Sequence, residues 1–291
     1  MSRSILIIAT LLFAACSKDS ESPKITKFTE SWYNVEEINS QTWIMQEGRS
    51  PQGNVSYLVS GSERAIMFDA GTGENFGQDG SRILYKIKET TDLPVTLLLS
   101  HFHFDHNQNI AEFENVAFPD LDFLRQSVDE SNVYHFSKED LFVGTSPASV
   151  QVGEWLPLET DIDLGDRLIQ LVNLPGHTDE SVIIIDHENK LAFLGDFLYS
   201  GEIYVFDPQN LQVYANSMEK LMTLINNEYV LYGAHGAPQV SYQHLLNSLS
   251  LLNCILNSDC FTESGTSVFG KSATRYHSKD GATTVLLVHT D

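Results

Sequence analysis

Apolar and polar positions along this chain fall into short, well-separated periodic segments. Residues 54–59 and 64–68 read as two strands, with Tyr57, Val59 and residues 65–68 apolar, joined by a turn at 60–63. Asp69, Ala70, Gly71 and Thr72 end the second strand in a loop. Residues 81–89 fit an amphipathic helix with Ile83, Leu84 and Ile87 on one face. The continuous apolar run 95–99 lies between Pro94 and a His-rich segment and reads as a buried central strand. Residues 168–174, 181–186 and 191–194 read as further strands, with Glu188 and Asn189 at the hairpin turn between the last two. Helices are predicted over 211–225 and 242–256, with a short strand at 230–232 between them and a final strand at 283–288. Two groups of strands, with helices before, between and after them, predict an α+β fold layered as helix, sheet, sheet and helix.

Composition narrows the possibilities. The chain has 291 residues, 42% of them hydrophobic, enough for one large domain or two small ones. Asp and Glu number 39 against 17 Lys and Arg, a formal net charge of -22. Such a surface repels polyphosphates and excludes nucleic-acid binding through counterion release. The cations are also unevenly placed: no Lys or Arg occurs in residues 91–124, 168–189 or 191–219.

The N-terminus reads as a targeting segment. Arg3 precedes an apolar run at 5–13, too short to span a bilayer, and Ala14, Ala15 and Cys16 follow. This resembles a bacterial lipoprotein signal, with Phe13 standing where Leu is usual, and implies that Cys16 is lipidated and becomes the new N-terminus. The other reading is an ordinary cleaved signal peptide with an incidental Cys. Residues 17–21 resemble the surface-export tether of Bacteroidetes lipoproteins. The division expected is therefore 1–16 signal peptide, 17–30 polar tether and 31–291 folded domain. The implied location is the outer membrane, on its periplasmic or cell-surface face, with membrane contact only through the lipid anchor. In an oxidising compartment Cys254 and Cys260 are candidates for a short disulfide loop, the alternative being two reduced, part-buried thiols.

The candidate chemistry begins where the strand at 95–99 ends. His101, His103, Asp105 and His106 form an HxHxDH cluster. Imidazole and carboxylate are the usual nitrogen and oxygen ligands of zinc and other borderline divalent metals. Four such groups at a strand end are a costly polar load without a metal. Asp105 falls where a helix would start, and Asp is at home there as a cap. Asp69, His177, Asp196 and His235 each follow a predicted strand beside Gly, where backbone approaches closely. His135, His187, His244, His277 and His289 have no partner in this pattern and read as surface or structural.

The ordered set Asp69, HxHxDH, GHT at 176–178, GD at 195–196 and GAHG at 233–236 resembles the metallo-β-lactamase superfamily over residues 54–288. The resemblance implies a four-layer αββα sandwich with metals between the edges of its two sheets. It implies that His101, His103 and His177 hold one metal, that Asp105, His106 and His235 hold a second, and that Asp196 bridges them. Asp69 would orient the ligand loop by hydrogen bonds. One departure is that Asn107, Gln108 and Asn109 follow the motif where the family often has a small Gly pair. Asp196 matches the bridging carboxylate of glyoxalase II and the lactonases, whereas authentic β-lactamases usually carry Cys or Ser there.

The function so implied is hydrolysis of an ester, lactone or related carbonyl substrate by a metal-bridging hydroxide, on two divalent ions, zinc first with iron or manganese as alternatives. Asp105 or Asp196 would accept the water proton. The sequence has no GxSxG elbow. Tyr199, three residues after Asp196, matches the spacing of a Tyr in acyl-homoserine lactone lactonases that donates to the substrate carbonyl; it reads equally as a packing residue beside Phe197, Tyr204 and Phe206. Residues 198–206 are expected to form a loop walling an apolar pocket. The missing cations point to a small uncharged or weakly anionic carbonyl compound. The rival functions are a mononuclear iron oxidoreductase resembling persulfide dioxygenases, and a metallo-β-lactamase proper.

Overall fold

The computed structural model describes residues 32–73, 82–258, 260–278 and 283–288. The segments expected to be a signal peptide (1–16, with Cys16) and a tether (17–30), together with His289, lie outside the described residues. The described residues belong to the compact unit Ser31–Asp291.

The first half runs β1 (Tyr33–Asn39), β2 (Thr42–Glu47), β3 (Val55–Ser60), β4 (Ala65–Phe68), α1 (Ile83–Thr90) and β5 (Val95–Leu98). It continues through α2 (Phe104–Asn107), β6 (Asn115–Pro119), α3 (Asp122–Ser127), β7 (Val133–His135), α4 (Lys138–Leu141), β8 (Ser149–Gln151) and β9 (Glu154–Leu156). The second half opens with β10 (Asp161–Asp163), β11 (Leu168–Asn173), β12 (Val182–Asp186), β13 (Leu191–Phe193), β14 (Glu202–Val205) and α5 (Leu211–Leu224). It closes with β15 (Val230–Tyr232), β16 (Gln239–Val240), α6 (Tyr242–Leu256), β17 (Phe261–Val268), β18 (Lys271–His277) and β19 (Thr284–Val288).

Seven strands form the first sheet in the order β1-β2-β3-β4-β5-β6-β9, and six form the second in the order β10-β11-β12-β13-β15-β16. The alternation of side chains along a strand sorts them into layers. In β3, Tyr57 and Val59 face the second sheet, where they meet Ile169, Leu171, Ile184 and Phe193. Leu58, between them, faces outward and packs with Met67 and Leu97 against Ile83 and Ile87 of α1. Likewise Ile183 and Ile185 of β12 turn outward to Met218 and Leu221 of α5 and Leu245 and Leu252 of α6. The product is helix, sheet, sheet and helix, as the pattern predicts. Each large apolar side chain so buried contributes about 1.5–3 kcal/mol.

The predicted segments occur close to their expected bounds, including the antiparallel β3–β4 hairpin with Val59 opposite Ile66. Leu84 is half-buried rather than core, leaving Ile83 and Ile87 to anchor α1. A third sheet, β14-β19-β18-β17, is an addition to the expected layers. Its residues Ile203, Val205, Val285 and Leu287 join the core under α5 and α6. Residues 198–206 are therefore not all loop, because 202–205 pair in parallel with β19. Cys254, near the end of α6, and Cys260 are joined by a disulfide with Cα atoms 5.6 Å apart. Among the described residues no helix is long and apolar enough to cross a membrane.

Candidate metal centre

Strand direction places the site. β4 and β5 pair in parallel, so both end on one edge of the first sheet. β11 and β13 are each antiparallel to β12, and β13 is parallel to β15, so those three end on one edge of the second sheet. Backbone bonds join the two edges: Val182 N–H donates to Ser100 O at 2.8 Å, and Val55 N–H to Ala234 O at 2.7 Å. Asp69 follows β4, and His101 and His103 follow β5. His177, Asp196 and His235 follow β11, β13 and β15. Residues 134 positions apart in sequence, from His101 to His235, thereby converge.

The donor atoms fall into three groups, each within 4.8 Å of one another: His101, His103 and His177; Asp105, His106 and His235; and Asp196 with His101 and His106. Asp196 thus groups with one histidine from each of the other sets. Its Oδ1 lies 3.4 Å from His106 Nε2 and 3.0 Å from His235 Nε2. Its Oδ2 lies 3.6 Å from His177 Nε2. Asp105 approaches both His106 (3.7 Å) and His235 (3.5 Å). Asp105 is not a helix cap as expected: His103 occupies that position, and Asp105 is the second residue of α2, with its carboxylate turned to the cluster.

The far ring nitrogens are held. His106 Nδ1 is 3.0 Å from Asp69 Oδ2, His235 Nδ1 is 2.9 Å from Gln52 O, and His177 Nδ1 is 3.3 Å from Tyr204 O. A ring whose Nδ1–H donates to an oxygen presents the Nε2 lone pair to the centre. Asp69 also accepts the Ser100 N–H at 2.6 Å, so one carboxylate fixes the backbone before His101 and the ring of His106. The three residues after the motif fasten its loop. Asn107 donates to Phe102 O at 2.6 Å, Asn109 to Ala70 O at 2.6 Å, and Gln108 to Ser146 O. Gly195 has φ +54, and a Cβ there would lie 2.5 Å from Ser100 Cβ, so the turn carrying Asp196 requires glycine.

Burial and mutual repulsion set the charges. His101 and His103 are pushed well below the usual imidazole range, by burial first and then by neighbouring histidines. Burial acts the same way on His106 and His235, but the carboxylates outweigh it. Asp196, Asp69 and Asp105 hold His106 well above the usual range, and Asp196 and Asp105 bring His235 to about 9. Despite burial, the His235 and His106 imidazoles hold the Asp196 carboxyl well below the usual carboxylate range. The residues fit a metal on a further observation. His101 Nε2 is buried without a hydrogen-bond partner, an arrangement that costs about 1–3 kcal/mol unless something else binds there.

A cavity of about 260 Å³ opens onto this cluster, lined at its floor by His103, Asp105, His177, Asp196 and His235. Tyr199 also lines it, with its ring 5.1 Å from that of His235. The Tyr199 hydroxyl, however, donates to the Glu202 carbonyl within its own turn rather than standing free for a substrate. Glu202, Tyr204 and Phe206 of the expected wall 198–206 line it, and so do residues the sequence did not mark: Phe104, Phe142 and Phe269. Phe104 sits inside the HFHFDH segment and was open to reading; Phe142 and Phe269 arrive from distant turns. The expected absence of cations is corrected by β18. Lys271 Nζ stands 5.6 Å from the Phe142 ring, and Arg275 Nε pairs with Glu202 Oε1 at 2.6 Å. Of the remaining histidines, His135, His187 and His277 pair at the surface or sheet edge, and His244 Nε2 lies 3.1 Å from Tyr199 O.

The family model of the metallo-beta-lactamase superfamily matches residues 49–249, and the chain belongs to that superfamily. The Acyl-coenzyme A thioesterase MBLAC2 of Gallus gallus is 27% identical over 216 residues, covering 68% of this chain and 78% of the relative. The Hydroxyacylglutathione hydrolase GloC of Haemophilus influenzae is 25% identical over 197 residues, covering 64% and 86%. The solved metallo-beta-lactamase from Pontibacter korlensis shares the fold, with a TM-score of 0.57 at 19% identity, covering 76% of this chain and 99% of that one.

Proposed function

We propose that this protein is a metal-dependent hydrolase that cleaves a carbonyl ester, lactone or thioester at a two-metal centre. The observation that carries the reading is the joining of two histidine-rich donor groups through Asp196 at the floor of an open cavity. The named activities of the relatives, an acyl-coenzyme A thioesterase and a hydroxyacylglutathione hydrolase, support a thioester over a lactone. His101, His103 and His177 would hold one divalent ion, Asp105, His106 and His235 the other, and Asp196 both. Ions held there supply the Lewis acidity that makes hydroxide available near neutral pH and that stabilises a carbonyl oxyanion. Asp69 keeps the His106 ring in the orientation this needs. Asp105 or Asp196 would take up the water proton. Tyr199 closes one wall against His235, and its hydroxyl must leave the Glu202 carbonyl before it can donate to a substrate.

The test is a panel of thioesters, esters, lactones, β-lactams and phosphodiesters offered to metal-loaded protein, with oxygen uptake on a persulfide measured alongside. Hydrolysis of a thioester, ester or lactone in preference to a β-lactam, lost in His103→Ala with the fold retained, is the expected result. Phosphodiester cleavage alone, or oxygen uptake without hydrolysis, overturns the proposal.

A further inference from the structure

The way out from the metal-side histidines is aromatic and ends at a cation. The Phe206 ring lies 5.1 Å from the rings of both His103 and His177. Phe142 follows at 4.4 Å from Phe206, and Phe269 at 5.2 Å from Phe142. Phe104 faces Phe269 across the opening at 6.4 Å. Phe269, at the tip of the β17–β18 hairpin, is 57% exposed, although it lines the cavity. Both Phe142 (φ +59) and Phe269 (φ +47) have a positive φ, which bulky residues rarely adopt. Two strained turns therefore meet to bring two aromatic rings together at the mouth.

Charge completes the path. Lys271, two residues beyond Phe269, holds its ammonium beside the Phe142 ring, and among the described residues it has no carboxylate partner. Arg275 on the same strand takes the Glu202 carboxylate at 2.6 and 3.3 Å, and its Nη1 also lies 3.7 Å from Glu263 Oε2. Glu202 is the one carboxylate of the lining residues that stands apart from the metal cluster, and Arg275 offsets its charge. On a chain of net charge -22 the mouth is thus locally receptive to an anion. The hairpin lies beyond residues 49–249, the part matched by the superfamily.

We propose that the β17–β18 hairpin selects the substrate. Phe206, Phe142 and Phe269 take an apolar stretch beside the reacting carbonyl, and Lys271 takes an anionic group at its far end. The substrate is then an ester or thioester with one arm that is apolar near the carbonyl and anionic beyond it. This rests on the hydrolase reading above for the place of the carbonyl.

Two matched pairs test it on metal-loaded protein. One is S-acetyl 6-mercaptohexanoate and its neutral N-methylamide; the other is the mono-methylthioester of suberic acid and its neutral amide. They put the anion on the leaving arm or on the acyl arm. Wild type should prefer the anionic member of one pair. Lys271→Ala should raise KM for that member about fivefold, leaving kcat and the neutral member unchanged. Phe269→Ala should raise KM for both members about tenfold. Calorimetry with S-ethyl 6-mercaptohexanoate and ω-(ethylthio)octanoate, thioethers that cannot be hydrolysed, reads the same contacts without turnover. No anion preference, or an equal effect of Lys271→Ala on charged and neutral members, overturns the proposal. Lys271-dependent thioether binding with no hydrolysis of any carbonyl compound would sustain it while overturning the hydrolase reading alone.

Discussion

Asp69 is the residue through which the fold and the centre act on each other. It leaves β4 in a left-handed conformation, φ 70, and its two oxygens are fully committed. One accepts the Ser100 N–H and sets the backbone ahead of His101; the other holds His106 Nδ1. An amide in its place keeps the shape but has one oxygen to offer, so one of the two bonds is lost in either orientation. Asp69→Asn should therefore weaken metal affinity by about 10–100-fold with the circular dichroism of the fold unchanged. Competition with a chelator of known affinity measures it, and wild-type affinity in the variant would show that Asp69 does not govern the His106 ring. Residue type and strand-end position made Asp69, the six histidine and aspartate positions around it and His235 legible in the sequence. The partner of the Tyr199 hydroxyl was not legible, because it is set by the course of the 199–202 turn.

Between elements, Glu180 links the two ligand-bearing segments. It stands just before β12, and its Oε1 accepts the N–H of Phe102, the residue between His101 and His103, at 3.1 Å. Burial pushes its carboxyl from 4.5 to about 7, despite hydrogen bonds from its own N–H, the Thr178 hydroxyl and Phe102. A carboxyl whose pKa rises on folding binds its proton more tightly in the native state. Its protonated form therefore supports the fold fully below about pH 4.5, and that support is lost as pH rises toward 7. The urea midpoint of wild type should thus fall, relative to Glu180→Gln, between pH 4.5 and pH 7 and run parallel to it above. Parallel curves throughout would place the titration elsewhere. Elements with one clear period, such as β3, β5, β12, α5 and α6, were legible. β1 buries Tyr33 at one end while its next four residues are exposed, and so gives no alternation to read. β17 and β18 carry little apolar signal, and the placement of Phe269 at the cavity, with Lys271 beside the Phe142 ring, depends on contacts with Phe142, far back in the chain. The cation-poor windows in the sequence were real, but they did not describe what surrounds the cavity in space.

At the scale of the whole molecule, the edge opposite the metal centre is closed by one buried ion pair. Arg167 precedes β11 and Asp186 ends β12, so both lie at the end of the second sheet away from His177. Arg167 Nε donates to Asp186 Oδ2 at 2.7 Å, and its Nη1 reaches the Gln41 and Ser60 carbonyls of the first sheet at 2.9 and 3.1 Å. The Asn189 backbone and side chain also donate to Asp186, at 2.9 and 2.8 Å. The two side chains are 1% and 0% exposed. Nothing in the sequence marked Arg167 as buried, since an arginine at a strand start ordinarily faces water. Arg167→Met removes the cation, leaves the Asp186 charge buried and drops two bonds to the first sheet. It should cost about 3–5 kcal/mol of stability. Because a buried pair is offset by its own desolvation, Arg167→Met with Asp186→Leu should recover most of that loss. Guanidinium unfolding of the wild type, the single variant and the double variant measures both steps. Metal affinity should stay at the wild-type value in all three, because the pair and the centre occupy opposite edges of the sandwich. A single variant as stable as wild type would remove the pair from the account of how the two sheets are held. A double variant no more stable than the single would assign the loss to the hydrogen bonds around the pair, those to the Gln41 and Ser60 carbonyls and those from Asn189, instead.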